Sequence, residues 1–248
     1  LILFAYKSHP QYKLIVAANR DEFYDRPTDS ASFWEDEPSI LAGRDMQAGG
    51  TWMGVSRSGK ISMLTNFRDP VNINQQAPSR GYLVSEYLKN KEDPELYLKD
   101  VEVKGTTYNG FNLICGTADT LYYYGNYQKG VHQVEPGIHG LSNALLNSSW
   151  PKVQKGKQRL STLLSDEEVH SEPLLEMLYD TELASTDVLP ETGVGIEMEK
   201  MLSPMFIRSE YYGSRCSTVI LIDYQDKVNF VERPFQYNFR VLIPSIIS

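Results

Sequence analysis

Cysteine and histidine are scarce in this sequence, and positive charge is in the minority. The 248 residues include two cysteines and four histidines, with no Cys-x-x-Cys pair and no His-rich spacing. A disulfide scaffold and a zinc site are therefore excluded, we expect no metal or other cofactor, and a reducing cytoplasm suits the chain best. The formal net charge of −8 leaves no basic surface, so nucleic acid and membranes are not expected partners.

Long hydrophobic runs are missing as well. The opening apolar stretch, residues 1–6, stops at Lys7 and is too short for a signal-peptide core or a membrane span. The remaining composition, with 41% hydrophobic and 23% charged residues, is close to the globular average. The length fits one large domain or two small ones, and we expect a single domain over residues 1–248.

Two apolar segments at the start of the chain predict a β-hairpin. Residues 1–6 and 12–18 are rich in Ile, Val, Leu and aromatic side chains, and a turn-forming segment joins them. A turn centred between the ninth and tenth residues gives antiparallel partners whose numbers add to about 19. Leu1 then faces Ala18, and the residue before Leu1 faces Asn19.

The rest of the chain predicts strands and helices in alternating groups. Strand pairs are expected at 51–56 with 60–66, 111–115 with 121–124 and 217–223 with 228–233, followed by a last strand at 237–242. Helices are expected at 79–88, 94–99, 150–164 and 173–179. This order favours an α+β fold with antiparallel sheets covered by helices. Residues 181–204 are typical of a long irregular connection.

The motif Asn19-Arg20-Asp21-Glu22 resembles the signature of the NRDE family, also called the transport and Golgi organisation protein 2 family. Further segments that resemble the family follow in the family's order across most of the chain: Gly49–Gly54, Thr65–Arg68, Asn109–Leu113, His139–Asn143, Trp150–Val153 and Gly213–Val219. Members of the family open with Met-Cys, so the resemblance implies a cysteine directly before Leu1.

The family in turn is similar to the N-terminal nucleophile hydrolases, especially the cysteine branch with penicillin V acylase and bile salt hydrolase. That similarity implies a four-layer αββα sandwich, with two antiparallel sheets between helix layers. It also implies an amidohydrolase that cleaves a carbon–nitrogen bond in a small molecule. If Leu1 is the true mature terminus, this mechanism fails, because leucine is not a nucleophile.

An amino-terminal cysteine can activate itself, because its own α-amino group titrates near pH 8 and lies a few bonds from the thiol. Asp21 is the candidate to orient the amine and Arg20 the candidate to lower the pKa of the thiol. Asn143 and donors around Asn66 are candidates for stabilising the oxyanion, and Arg215 for closing the polar ring.

The same residues carry alternative interpretations. Arg20 and Asp21 are adjacent and point to opposite faces of an extended strand, so we expect Asp21, aligned with Asn19, to face the site unless the strand ends at Ala18. Candidate binding residues are Asn19, Trp52, Phe67 and His139. For Trp52 a core position is the more common role, and for His139 a structural one.

The positions of Asn66 and Asn143 are as typical of amides that cap a turn as they are of oxyanion donors. Gly49 and Gly50 favour a tight turn over an anion cradle. Neither Cys115 nor Cys216, each in an apolar strand context, is expected to be a nucleophile. The alternative to hydrolysis, also implied by the resemblance, is a protein that binds and carries a hydrophobic small molecule such as haem or an acyl compound.

Overall fold

The computed structural model of the protein describes residues 1–166, 168–236 and 245–247. In chain order, the strands are β1 (Ile2–Tyr6), β2 (Tyr12–Phe23), β3 (Thr28–Phe33), β4 (Ile40–Asp45), β5 (Met53–Ser56), β6 (Lys60–Asn66), β7 (Phe111–Thr117), β8 (Leu121–Gly125), β9 (His132–Gln133), β10 (Gly137–Leu141), β11 (Tyr212–Asp223), β12 (Val228–Pro234) and β13 (Ser245–Ile247). The helices are α1 (Gly81–Lys89), α2 (Pro94–Lys104), α3 (Pro151–Leu163), α4 (Ser171–Leu178) and α5 (Ile196–Met201), with short 3-10 turns at Gly105–Thr107 and Thr186–Val188.

The chain divides into two compact units, each with one antiparallel sheet. The first unit takes Leu1–Asp25, Pro136–Ser142 and the described part of Leu146–Ser248, and the second takes Arg26–Glu135 and Asn143–Leu145. The α+β class with two antiparallel sheets is therefore confirmed. The single domain expected over the whole chain stays a prediction.

The first unit contains a six-stranded sheet in the order β10-β1-β2-β11-β12-β13, with α3 and α4 packed on it. Odd-numbered side chains of β1 and β2 point towards these helices, because side chains alternate along a strand. They form one buried cluster with side chains of the helices and of β11, including Leu3, Ile15, Leu160, Leu174 and Val219. Even-numbered side chains of β1 and β2 therefore lie on the sheet's opposite face.

The second unit contains a seven-stranded sheet in the order β3-β4-β5-β6-β7-β8-β9, with α1 and α2 packed on it. Its core includes Tyr87 and Leu98 of the helices and Phe111 and Leu113 of β7. Helix α2 begins where the Asp93 side chain accepts hydrogen bonds from two backbone N–H groups of the first turn.

Gly49 and Gly50 form the predicted tight turn, and each is required for a different reason. Gly49 has a φ of 78°, in the left-handed region that favours glycine. At Gly50 the backbone of α1 approaches so closely that an added Cβ would lie 2.5 Å from the carbonyl carbon of Gly81. The glycine pair therefore permits contact between α1 and the start of β5.

Most predicted elements are present, and the differences fall at identifiable places. All three predicted internal hairpins and all four predicted helices form. Helix α5 interrupts the irregular connection predicted at 181–204. The strand predicted at 237–242 lies outside the described residues.

The opening hairpin forms with a different register from the predicted one. Ile2 lies opposite Ala18, so the numbers of paired residues add to 20 rather than 19. Lys7 takes a φ of 46° at the start of the turn, and this left-handed residue moves the centre of the turn on to Pro10. The strand also continues to Phe23 instead of ending at Ala18, because β11 pairs with it along that whole stretch.

None of the helices in the described ranges has the length and apolar character that crossing a bilayer requires.

Candidate functional site

The beginning of the chain is buried in the first unit beside the Asn19–Glu22 motif. The Leu1 amino group donates a hydrogen bond to the Asn19 carbonyl oxygen at 3.2 Å, and the Asn19 N–H donates to the Leu1 carbonyl oxygen at 2.9 Å. Leu1 and Asn19 are thus directly opposite each other, and the register places a residue before Leu1 opposite Arg20. Directly opposite residues of antiparallel strands share a face, so that residue's side chain would lie on the Arg20 face.

The Asn19 side chain holds together parts of the chain that are distant in sequence. Its Nδ2 donates to the carbonyl oxygens of Leu178 at 3.0 Å and Met205 at 2.8 Å, and its Oδ1 accepts from the Ser217 hydroxyl at 2.6 Å. Both amide hydrogens are therefore used inside the fold. We assign Asn19 an anchoring role, which leaves it no hydrogen to donate to a ligand.

Asp21 lies on the same face as Asn19 and is bound to Ser214 of β11. The Ser214 hydroxyl donates to Asp21 Oδ1 at 2.5 Å. The same hydroxyl oxygen accepts the N–H of Ile207 at 3.0 Å. Sequence reasoning did not single out Ser214, although it lies within the family-like segment 213–219.

Arg20 points to the opposite face, as the alternation of the strand requires. Its side chain is 7% exposed and lies 3.9 Å from the Glu22 carboxylate. The β-bulge at Arg215 brings a second guanidinium close, whose Nη1 donates to the Phe23 carbonyl oxygen at 2.7 Å. Burial and the positive charge of Arg20 lower the pKa of Arg215, and the negative charge of Glu22 acts in the opposite direction.

Two further polar residues on the Arg20 face were not predicted as part of the site. Cys216 is directly opposite Arg20, and Glu232 of β12 is directly opposite Thr218. Both Cys216 and Glu232 are buried. Burial raises the pKa of the Cys216 thiol well above its usual value, the Glu232 carboxylate raises it further, and Arg20 partly opposes them. These surroundings favour the neutral thiol of Cys216, and its non-nucleophilic role stays a prediction.

The α-amino group at Leu1 is perturbed by its surroundings. Burial lowers its pKa from 8.0 to about 6, the negative charge of Asp21 acts in the opposite direction, and the ammonium of Lys152 lowers the pKa further. An amine with this pKa is mostly in the free-base form at neutral pH.

Lys152 also borders a cleft in the first unit. The cleft has a volume of about 110 Å³, and Lys155, Glu182, Ser203 and Met205 are among its other lining residues. Lys152 donates to the Leu202 carbonyl oxygen at 2.8 Å, while Lys155 forms ion pairs with Asp180 and Glu182.

Four of the predicted site residues belong to the second unit. Asn143 Nδ2 donates to the Asn66 carbonyl oxygen at 2.9 Å, so these two residues are brought together. Phe67 stacks on Tyr127 with ring centroids 4.0 Å apart. The Trp52 ring lies against Gly43, where an added Cβ would come within 2.3 Å of it. The Trp52 ring thus packs against Gly43, and its candidate role in binding stays a prediction.

His139 of β10 belongs to the first unit and has a structural environment. Its ring stacks on Phe4 with centroids 4.9 Å apart, and its Nδ1 lies 3.0 Å from Asn147 Nδ2. Across the described parts of both units, no three His, Cys, Asp or Glu side chains converge in a way that suits a metal ion.

Comparisons with known sequences give a consistent result over nearly the whole chain. The family described as Transport and Golgi organisation 2 matches residues 1–237. The human Transport and Golgi organization protein 2 homolog is 40% identical over 256 residues, covering 94% of this chain and 92% of the human protein. The Drosophila melanogaster protein, Transport and Golgi organization protein 2, is 29% identical, covering 94% of this chain and 90% of its own length.

Two solved structures have a similar fold at very low sequence identity. Penicillin V acylase from Agrobacterium tumefaciens is 12% identical with a TM-score of 0.52, over 99% of this chain and 84% of the acylase. The Caenorhabditis elegans ortholog of N-acylethanolamine-hydrolyzing acid amidase is 9% identical with a TM-score of 0.50, over 89% of this chain and 92% of its own. The predicted fold of the N-terminal nucleophile hydrolase type is confirmed.

Proposed function

Since this chain belongs to the Transport and Golgi organisation 2 family and has the fold of an acylase and an amidase, we propose that it is an amidohydrolase. It cleaves a carbon–nitrogen amide bond in a small molecule, and its nucleophile is a cysteine that precedes Leu1. The observation that carries the proposal is the burial of Leu1 opposite Asn19, the residue that directly precedes Arg20 and Asp21 in β2.

The register of β1 on β2 supports a role for Arg20. A cysteine before Leu1 is directly opposite Arg20, and the two side chains share a face of the sheet. A guanidinium within a few ångströms favours the thiolate and lowers the pKa of the thiol. In this arrangement Arg20 acts on the nucleophile, and Arg215 adds positive charge beside it.

The electrostatics at the amino group support a role for Asp21. At the Leu1 position the Asp21 carboxylate favours the ammonium and burial favours the free amine, and we propose the same two influences on the amino group of the preceding cysteine. The free amine takes the thiol proton, the thiolate attacks the amide carbonyl, and the resulting ammonium gives the proton to the leaving nitrogen as the C–N bond breaks. A water molecule then hydrolyses the thioester, which releases the acid and restores the thiol. Asn66 and Asn143 stay predicted oxyanion donors.

The first experiment tests the nucleophile. Intact mass spectrometry of the purified protein establishes whether a cysteine precedes Leu1, and a panel of simple amides and acyl amino acids then measures turnover. Replacing that cysteine by alanine is expected to leave the thermal unfolding temperature unchanged and to abolish turnover. Cys115→Ala is the matched control, since it also removes one thiol but should leave turnover unchanged.

Other outcomes would contradict hydrolysis. Turnover that persists in the cysteine-to-alanine protein would remove the proposed mechanism. A hydrophobic ligand recovered intact after incubation with both proteins, with equal affinity for each, would favour the alternative of a carrier.

A further inference from the structure

We propose that Ser214 is a positioning residue: it holds the Asp21 carboxylate where that group acts on the first amino group of the chain. Its catalytic meaning rests on the proposed function, but its effect on the amine does not. The sequence predicted that Asp21 orients the amine, but it predicted no partner for Asp21 and no role for Ser214.

The hydrogen bonds around Ser214 fix the direction of its hydroxyl. Ser214 is 1% exposed and is directly opposite Asp21 in the β2–β11 ladder. The Ile207 N–H donates to Ser214 Oγ at 3.0 Å, which occupies one lone pair of the oxygen. The hydroxyl hydrogen is then free to point at Asp21 Oδ1, 2.5 Å away. The carboxylate thus receives a short, charge-assisted hydrogen bond from a group that cannot turn to solvent.

A β-bulge is what places Ser214 on the correct face. Ser217 is directly opposite Asn19 and binds its side chain, so strict alternation would put residue 215, not 214, on that face. The register shifts by one residue between Ser214 and Cys216, and this extra residue changes the parity of the strand. As a result Ser214 meets Asp21, and Arg215 joins Arg20 on the other face.

The second oxygen of Asp21 is available for another donor. Among the described residues, Oδ2 of Asp21 makes no hydrogen bond. Because β1 and β2 are antiparallel, the residue before Leu1 lies one position closer to Asp21 along β2 than Leu1 does. An amino group at that position therefore approaches the carboxylate that Ser214 holds.

Other charged side chains lie around Asp21, and the test must distinguish their effects on the amine from the effect of Asp21. Lys152 at the start of α3 acts on the amine with the opposite sign to Asp21. Arg20 and Glu22 flank Asp21 on β2, and Arg215 projects from β11. An experiment that changes Ser214 alone leaves all of these charges in place.

The test measures the pKa of the first amino group in the full purified chain, by nitrogen NMR or by the pH dependence of its acylation. A negative neighbour favours the ammonium form, so displacing the Asp21 carboxylate should lower the amine pKa. We expect Ser214→Ala to increase the ratio of free amine to ammonium at pH 6 by about threefold. Asp21→Asn should give a larger increase, and adding Ser214→Ala to Asp21→Asn should give none.

Ser217→Ala is the matched control. It removes a second buried hydroxyl from the same face of the same strand, but one that binds Asn19 rather than Asp21. It should leave the amine pKa unchanged. Ser214→Cys provides a second test if Ser214→Ala does not fold. Cysteine is nearly isosteric with serine but is a weaker hydrogen-bond donor, so this variant should shift the amine pKa in the same direction by a smaller amount.

Two results would overturn the proposal. One is a Ser214→Ala shift that is equally large in the Asp21→Asn protein, and the other is an equal shift in Ser217→Ala. No substrate is used, so these results are independent of hydrolysis. A protein that turns over no amide but gives the expected amine shifts would overturn the proposed function and keep the role of Ser214.

Discussion

Arg20 and Asp21 are neighbours in sequence, yet the extended backbone sends their side chains to opposite faces of the first unit's sheet. Arg20 joins Arg215 and the buried Cys216 on one face, while Asp21 joins Asn19 and Ser214 on the other. A strand can therefore carry a cation and an anion in consecutive positions without pairing them. In the proposed mechanism the cation acts on the thiol and the anion acts on the amine.

The charge of Lys152 gives a prediction of opposite sign to that for Asp21. Lys152 lowers the pKa of the buried amine, because a positive neighbour disfavours the ammonium form. Lys152→Met should therefore raise the pKa of the first amino group and move the rise of amine reactivity to higher pH. Amine acylation rates measured between pH 5 and pH 9 would detect this. Lys155→Met, which removes a lysine one turn along α3, should leave the profile in place.

Asn19 should prove structurally indispensable. Asn19→Ala removes the hydrogen bonds to two buried carbonyl groups and to the Ser217 hydroxyl. Buried polar groups left without partners cost about 1–3 kcal/mol each, so the free energy of unfolding should fall by about 3 kcal/mol in urea denaturation. Asn66→Ala, at an exposed strand end, should change it by less than about 0.5 kcal/mol. Equal effects of the two substitutions would contradict the anchoring role.

At the scale of elements, apolar and turn patterns were sufficient to predict the main hairpins and helices. Strand β3 was not predicted because Thr28–Phe33 carries exposed polar side chains, and its pairing with β4 depends on backbone hydrogen bonds. The same reason explains why β2 was predicted to be shorter than it is. Its last residues are polar, but β11 supplies backbone partners for them.

The site was harder to predict because its contacts depend on register. The single residue by which the hairpin register differs moves the position before Leu1 from Asn19 to Arg20. The bulge at Arg215 contains no glycine or proline, and Gly213, two residues before it, does not show where the register shifts. A motif can therefore identify the strand that carries a site, but the opposing strand determines which of its side chains work together.

The contact between α1 and the Gly49–Gly50 turn predicts that two glycine-to-alanine substitutions lower the stability of the fold by different amounts. Gly50→Ala places a Cβ against backbone atoms of Gly81, which cannot move without shifting α1, and overpacking of this kind costs about 1–3 kcal/mol. Gly59→Ala meets no atom within 4 Å and bears only the cost of a left-handed φ, about 1 kcal/mol. Thermal unfolding should therefore show the larger loss for Gly50→Ala, and the reverse order would contradict the tight approach.

At the scale of the whole molecule, the acidic average of the chain contrasts with the two guanidinium groups of its candidate site. The 32 acidic residues outnumber the 24 basic ones, so the average field repels anions. Around Arg20, however, the guanidinium of Arg215 acts on the same side of the sheet. An anionic ligand is thus repelled at long range and attracted at short range, and salt separates the two effects because it screens the longer-range one first.

This separation predicts how substrate charge and ionic strength combine. For a neutral amide, KM should stay constant between 20 and 300 mM salt. For an anionic acyl amino acid with the same acyl group, KM should fall as salt rises, because screening removes the repulsion of the net charge of −8. Arg20→Gln serves as the comparison, since it should weaken binding of the anionic ligand at every salt concentration. If KM for the anionic ligand instead rises with salt in the unmodified protein, the guanidinium groups, and not the average charge, control its encounter with the site.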